Sequence, residues 1–389
     1  MACLEAPQFP RVPDDLRRAD GRSVYQPHGG TLYALTAQLD LEEQLVATAA
    51  APGAPRLPAE ASARFLGADA EQLRADLCEP AHCDALRATV GCGLTRAQAA
   101  AAYHALTDPC RVSVILAPAG SGKTTTAGQI AAAFRAHGHV VFGTATSQNA
   151  TTVLQAAIGG QAANLAKFLG HSPDGERGKF SLSHELPAGS VVIVDEASLT
   201  SLPDLKDVTG HAAARGWKVI LIGDSEQLAA VERGGGLRLL AARLGYAELP
   251  HALRFAEPWE QEASIWLRAG DVTVLEDYDD HGRITGAPLE EALEQARRGY
   301  VAAVLDGLDP LHMAASRDTC REVGRRIRED LIHHGLVEQG AEVALRDGQV
   351  ASRGDLIICR QNSKAEAGEP GRPLTNGDVM QVLDVAPAR

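Results

Sequence analysis

The chain has no run of about 18 or more consecutive apolar residues, the length at which a segment reads as a membrane span. It has no basic-then-apolar leader either: it opens MACLEAPQFPRVPDD, which excludes a secretory pattern and makes a cytoplasmic location the expectation. Cysteine is sparse. Seven are scattered along the chain, and an odd, dispersed set fits reduced thiols better than a disulfide framework. Positive charge is short as well: 37 Lys and Arg face 50 Asp and Glu, for a net charge of −13. That excludes a nucleic-acid binder working through its whole surface. It leaves a local basic groove open, because phosphate contact depends on the local field. With 389 residues, 45 % of them hydrophobic, there is room for two or three domains with their own cores.

What is present begins with LAPAGSGKTTT, Leu116 to Thr126. It follows the apolar run VSVIL and precedes AGQIAAAF, which has a helical pattern. Strand, glycine-rich loop and helix form the context of a phosphate-binding loop. Consecutive backbone N–H groups there face the ligand at the positive end of the following helix. Gly120, Ser121, Gly122, Lys123, Thr124 and Thr125 are the candidate nucleotide-binding residues. Lys123 would reach the outer phosphates, and the Thr124 hydroxyl would ligate Mg²⁺. Ala117 stands where such loops usually open with glycine; a small residue still permits the turn.

Two more strand ends carry polar motifs. VVIVDEAS, Val191 to Ser198, finishes a β-branched run with two carboxylates. Asp195 suits a metal ligand, and Glu196 suits a base that orients and deprotonates water. LIGDSEQL, Leu221 to Leu228, places the Gln227 amide after a further strand, where it could touch a γ-phosphate. Upstream, GLTRAQ holds Gln98, whose amide could pair with an adenine edge. Taken alone, the string reads rather as a helix start capped by Thr95.

The alternation of strand and helix from about residue 93 predicts an α/β fold: a parallel sheet with helices on both faces and ligands at the strand tips. Residues 1–92 form a helical N-terminal region, with Thr36 a candidate N-cap, and 93–245 form the ATP-binding lobe. After 246 the pattern is helical, with a strand expected at PLHMAAS, and the last part reads as short strands around an Asn-Gly turn.

Other clusters have plain readings. Cys78, His82, Cys83 and Cys92 match no zinc spacing and read as ordinary thiols. His137 and His139 read as a helix terminus. Arg317, Arg321, Arg325 and Arg328 share a helix face that could meet DNA phosphates, but interleaved acids favour a salt-bridged, solvated face. Trp259 and Trp266, seven apart, fit an apolar helix face packed in a core better than a base-stacking pair.

Taken in order and spacing, LTRAQ, APAGSGKTTT, TATSQNAT, VVIVDEAS, GDSEQL and LPHALRF resemble the RecD-like branch of superfamily-one helicases. They are similar in particular to the helicase half of conjugative relaxases of the TraI/TrwC (MobF) type. LRFAEPWEQEASIWLRAGD and the late LTNGD add to the match, which covers roughly residues 20–389. The resemblance implies a P-loop NTPase (RecA-like) lobe, then an incomplete second RecA-like lobe at 246–345 and the start of an inserted SH3-like β-barrel at 346–389. It implies ATP and Mg²⁺, single-stranded DNA as partner, conjugation machinery reached through a relaxase, and 5′ to 3′ movement. By position, Gln98 would read adenine and Thr144 to Asn149 would lie on the single strand. Asp195 and Glu196 would serve metal and water, and Gln227 would sense the γ-phosphate. Arg254 would reach the γ-phosphate from the second lobe. Two further helicase motifs and the relaxase half are not in the sequence, so a fragment of a larger protein is expected. An ATP-binding but inactive DNA-docking fragment remains the alternative to an active helicase module.

Overall fold

The computed structural model describes residues 2–4, 32–79, 84–171, 181–227, 234–361, 363 and 374–385. The chain divides into two compact units, Met1–Val272 and Thr273–Arg389.

The first unit opens with β1 (Ala2–Leu4) paired antiparallel to β2 (Leu32–Ala34). Helices α1 (Thr36–Ala50), α2 (Ala59–Leu66) and α3 (Ala70–Asp76) follow. Thr36 is the first helical residue of α1 and not its cap; Leu35 takes the cap position and makes no side-chain bond there. Asp69 caps α3 by accepting from the amides of Glu71 and Gln72, the usual use of a short carboxylate before a helix.

From α4 (Arg96–Thr107) onward, strands and helices alternate as the sequence pattern predicts. The succession is β3 (Val112–Leu116), α5 (Lys123–Ala136), β4 (Val141–Ala145), α6 (Gln148–Ile158), β5 (Gln161–Asn164) and α7 (Leu165–Leu169). Then come β6 (Val191–Asp195), α8 (Leu202–Arg215), β7 (Lys218–Gly223), α9 (Gly236–Leu244), β8 (Ala247–Glu248) and α10 (Pro258–Arg268). The strands form one six-stranded sheet in the order β5-β4-β6-β7-β3-β8, and every pairing in it is parallel.

The four central strands are buried along their whole length. That is why they read as continuous apolar runs, and it requires cover on both faces. Side chains alternate between two cores, as strand geometry dictates. Ile115, Ile193, Ile220 and Ile222 pack with residues of α2 to α6. Val114, Val192, Val194, Val219 and Leu221 pack on the opposite face with residues of α1 and α7 to α9. In this second core Trp217 and Phe142 flank Phe168 at ring distances of 6.4 and 5.2 Å.

The lobe is wider than its sequence boundary at 245. Ala247 and Glu248 pair with Ile115 and Leu116, and the Leu249 amide donates to the Leu116 carbonyl. An edge strand this short carries too little periodicity to be read locally.

The second unit contains α11 (Leu275–Asp280), α12 (Leu289–Leu305) and α13 (Arg317–His333). It also holds two hairpins, β9 (Val343–Ala344) with β10 (Val350–Ala351), and β11 (Leu356–Ile358) with β12 (Val379–Gln381). PLHMAAS is irregular and not a strand; Leu311 and Met313 are more than four-fifths exposed there, so no sheet or core holds the segment extended. Helices α12 and α13 share a small core of Val301, Val323 and Ile327. Four arginines of α13 are tied to acids: Arg321 to Asp318, Arg325 to Glu322 and Glu329, Arg326 to Glu290 and Glu322, and Arg328 to Glu342 and Asp355. The salt-bridged reading of that helix therefore describes it.

Candidate nucleotide site

Because the sheet is parallel, β3, β6 and β7 deliver their C-terminal ends to one edge. Register brings Leu116 beside Gly223 and Ala145 beside Asp195. The Ala117 amide donates to the Gly223 carbonyl at 2.8 Å, which fixes where the glycine-rich loop departs.

That loop is shaped by two left-handed residues, Gly120 (φ 77°) and Gly122 (φ 82°). Neither position admits a side chain. A Cβ on Gly120 would lie 2.7 Å from Arg254 Cβ and Nε, and one on Gly122 would lie 2.1 Å from Gln98 Nε2. Ser121 turns inward, its hydroxyl donating to the Pro118 carbonyl at 2.9 Å. Helix α5 starts at Lys123 with no side-chain cap, so its first amides are left for solvent or an anion. Lys123 Nζ is 3.2 Å from Glu196 Oε1. Thr124 is half-buried and Thr125 exposed.

Gln98 is buried beneath the loop. Its Oε1 accepts from the Thr95 amide at 3.0 Å, while Thr95 Oγ1 accepts from the Gln98 amide at 3.2 Å, a complete capping box. Its Nε2 donates to the Ser121 carbonyl at 2.9 Å. One amide thus joins the start of α4 to the glycine-rich loop. A glutamine amide has two donors and two acceptor lone pairs, so these bonds engage half of its capacity.

At the tip of β6, Asp195 is 6 % exposed. Burial pushes its carboxyl above the usual range, opposed by a hydrogen bond from the Glu196 amide and by the Lys123 charge. Glu196 has φ 51°, the single positive φ outside glycine among the described residues. Its Oε2 is buried without a partner, as are the hydroxyls of Thr144, Ser198 and Thr200. A buried polar atom left unpaired costs about 1–3 kcal/mol. Unpaired acceptors and hydroxyls on neighbouring strand ends, beside a loop whose two left-handed glycines leave little room for a Cβ, suit a polar, multiply charged ligand. The donor set of Thr124 hydroxyl and Asp195 carboxylate fits a hard cation such as Mg²⁺.

At the end of β7, buried Asp224 organises the third motif. Its Oδ2 accepts from Gln227 Nε2 at 3.3 Å, and its Oδ1 accepts from the Glu226 amide at 3.1 Å. Oδ1 also accepts from Arg268 Nε at 2.9 Å and Nη2 at 2.6 Å. Arg254 follows β8 in the same compact unit as the loop it touches. It does not come from beyond a lobe boundary, because β8 belongs to the sheet. Arg268 and Asp224 were missed by the sequence reading; the pair is 44 residues apart and leaves no local signal.

Other predicted residues lie elsewhere. Thr144 and Ala145 end β4, and exposed Ser147, Gln148 and Asn149 start α6 under a Ser147 cap. Trp266 is 51 % exposed, which corrects the expectation of core packing; the buried residue of α10 is Ala263. His137 is the C-cap of α5, as expected. Cys78 is exposed and Cys92 half-buried, both free. His82 and Cys83 lie outside the described residues, and among the described residues no group of three candidate ligands is placed to hold a metal.

A parallel α/β sheet with a phosphate-loop lysine, a strand-end Asp-Glu pair and a neighbouring Asp-Gln strand end defines a P-loop ATPase-type domain. The chain belongs to the AAA domain family (AAA_30), which matches residues 93–288. It is similar to "Conjugal transfer protein TraA" of Rhizobium radiobacter, 30% identical over 76% of this chain and 26% of that protein. The protein of the same name from Agrobacterium fabrum is 28% identical over 74% of this chain and 25% of its own length. "RecBCD enzyme subunit RecD" of Mycolicibacterium smegmatis is 31% identical over 45% of this chain and 35% of that protein. The chain thus spans about a quarter of the length of the conjugal transfer relatives. Family and relatives together make it a RecD-like, helicase-type ATPase domain related to conjugative relaxases. Among the described residues no helix is long and apolar enough to cross a membrane.

Proposed function

We propose that this chain is the ATP-driven motor portion of a DNA helicase or translocase that works in conjugal transfer, moving 5′ to 3′ on single-stranded DNA in the cytoplasm. The observation that carries the reading is the meeting of Lys123, Glu196 and Arg254 at the glycine-rich loop. Three chain segments far apart in sequence bring two cations and a carboxylate to one phosphate cradle.

In this reading Gly120, Ser121, Gly122 and Thr125 surround the phosphates, and Lys123 neutralises the outer ones. Thr124 and Asp195 would hold Mg²⁺, which when bound offsets phosphate charge. Glu196 orients the attacking water and takes its proton. Lys123 is free to leave Glu196 for phosphate oxygens, which frees the carboxylate for water. Arg254, planar and permanently charged, stabilises negative charge that grows on the transferred group. Gln227 reports the γ-phosphate, and Gln98 sets loop shape and is assigned to the base. The exposed start of α6 is the segment assigned to single-stranded DNA. Of the stretch expected to open a second RecA-like lobe, residues 273–345 fall in the second unit and are assigned to that lobe, and 346–389 are assigned to the start of an SH3-like barrel.

The test is ATP hydrolysis with and without single-stranded DNA, for this chain and for Lys123→Ala. DNA-stimulated turnover that disappears in the variant supports the reading. A chain that binds no ATP overturns it. Partial duplexes with 5′ or 3′ single-stranded tails test the polarity.

A further inference from the structure

Helix α10 has the candidate γ-phosphate arginine at one end and the candidate sensor at the other. Before its first turn runs the loop carrying Arg254, tied to the helix by Gln261 Nε2, which donates to the Phe255 carbonyl at 2.7 Å. A second tie runs from Arg87 Nη1 to Gln261 Oε1. Its last residue is Arg268, a cation at the negative end of a helix dipole. Arg268 gives two N–H donors to one oxygen of Asp224. The other oxygen of Asp224 accepts from Gln227. The Asp224 side chain is 3 % exposed and that of Arg268 20 %, so the pair is shielded from water on the carboxylate side. At 11 residues, α10 spans about 16 Å and works as a rod between the two strand-end loops.

We propose that Arg268 is a positioning residue of the nucleotide site. It holds the Asp224 carboxylate so that Gln227 faces the γ-phosphate end, and it couples that position to the Arg254 loop through α10. The proposal rests on the reading of Gln227 as the γ-phosphate sensor. Arg268 suits the task because its fork supplies two donors at a fixed angle, whereas lysine supplies a point charge. A buried carboxylate without that partner repels its surroundings and no longer holds one orientation.

The measurement is the affinity of the full chain for ADP and for a non-hydrolysable ATP analogue, in the parent, R268Q, R268K, Q227A and the R268Q/Q227A double variant. Loss of one sensing hydrogen bond should weaken the analogue by about tenfold in R268Q and in Q227A, with ADP unchanged. The double variant should be no weaker than either single one, because both remove the same contact. R268K should fall between R268Q and the parent. Melting curves check folding, and D224N, which keeps the shape of the carboxylate, is read in the same way if R268Q does not fold. A loss that strikes ADP equally, or one that adds in full to Q227A, overturns the positioning role. An R268Q protein that binds like the parent while Q227A is impaired overturns it alone. A Q227A protein that binds the analogue like the parent removes the sensor reading itself, a separate failure that takes this proposal with it.

Discussion

Lys123 Nζ and Glu196 Oε1 are 3.2 Å apart, joining the first residue of α5 to the turn after β6. The lysine side chain is 11 % exposed and the glutamate 29 %, so the pair is partly shielded. In the proposed site a phosphate would compete with Glu196 for the lysine. Lys123→Ala should therefore abolish triphosphate binding. Glu196→Gln should retain binding and lower hydrolysis by about 10²–10⁴-fold, the range for loss of a general base. Equilibrium binding of a fluorescent ATP analogue alongside steady-state turnover separates the two outcomes.

Gly122 touches Gln98 so closely that no Cβ fits, and its φ of 82° is left-handed. Gly122→Ala should break the bond from Gln98 Nε2 to the Ser121 carbonyl and distort the loop. Nucleotide affinity is expected to fall by about tenfold or more, from backbone strain of ~1–3 kcal/mol and a lost buried bond. Gln98→Ala should reproduce part of the loss without the strain. Titrating both variants with ATP and GTP also shows whether Gln98 distinguishes bases.

Lys218 is fully buried at the start of β7. Its ammonium donates to the carbonyls of Asp108 and Cys110 at 2.9 and 2.6 Å, and Asp108 Oδ2 lies 3.7 Å away. Burial pulls its pKa from 10.5 to about 8, against the opposing Asp108 charge. Below that value the lysine is charged in folded and unfolded chains alike. Between about 8 and 10.5 the unfolded chain holds more protons, so this group's contribution to stability rises with pH and is lost as pH falls back through 8. The rise is on the order of 3 kcal/mol. Cys110, its thiol pushed up by burial, pulls the other way, so the informative quantity is a difference. Urea unfolding of the parent and of Lys218→Met at pH 7.5 and 10 should show the gap between them widening at the higher pH. At pH 7.5 the variant should already be destabilised by ~1–3 kcal/mol, because carbonyls lose their donor.

Two tryptophans in opposite settings make a paired test. Trp217 is fully buried, with its Nε1 donating to the Pro187 carbonyl at 2.7 Å. Trp217→Ala should cost ~3–5 kcal/mol. Trp266, half exposed on α10, should lose less than about 0.5 kcal/mol on the same change. Denaturant midpoints of the two variants give the comparison.

Sequence carried the contiguous parts of this molecule well. The glycine-rich loop, the VVIVDEAS strand end and the two-sided sheet each depend on neighbours within a few residues, and periodicity records such neighbours directly. Pairings across the chain left no such trace. Arg254 against Gly120 and Arg268 against Asp224 exist because β8 and α10 return to the sheet, and a two-residue edge strand such as β8 is invisible to pattern. Trp266 misled because a seven-residue spacing defines a face of a helix without saying whether anything covers it. Nothing local to Lys218 marks it for burial; only the fold supplies the carbonyls that let it go inside.

The left-handed backbone at Glu196 has a consequence for anyone who improves this protein by screening. A glycine accepts φ 51° without the penalty a glutamate bears, so Glu196→Gly is the replacement a heat-challenge library would tend to enrich. The same exchange deletes the carboxylate beside Lys123. Under the role proposed for Glu196, thermal selection and selection for hydrolysis would push this codon in opposite directions. A lineage kept only for robustness would then drift toward a tightly folded protein that has lost the proposed turnover.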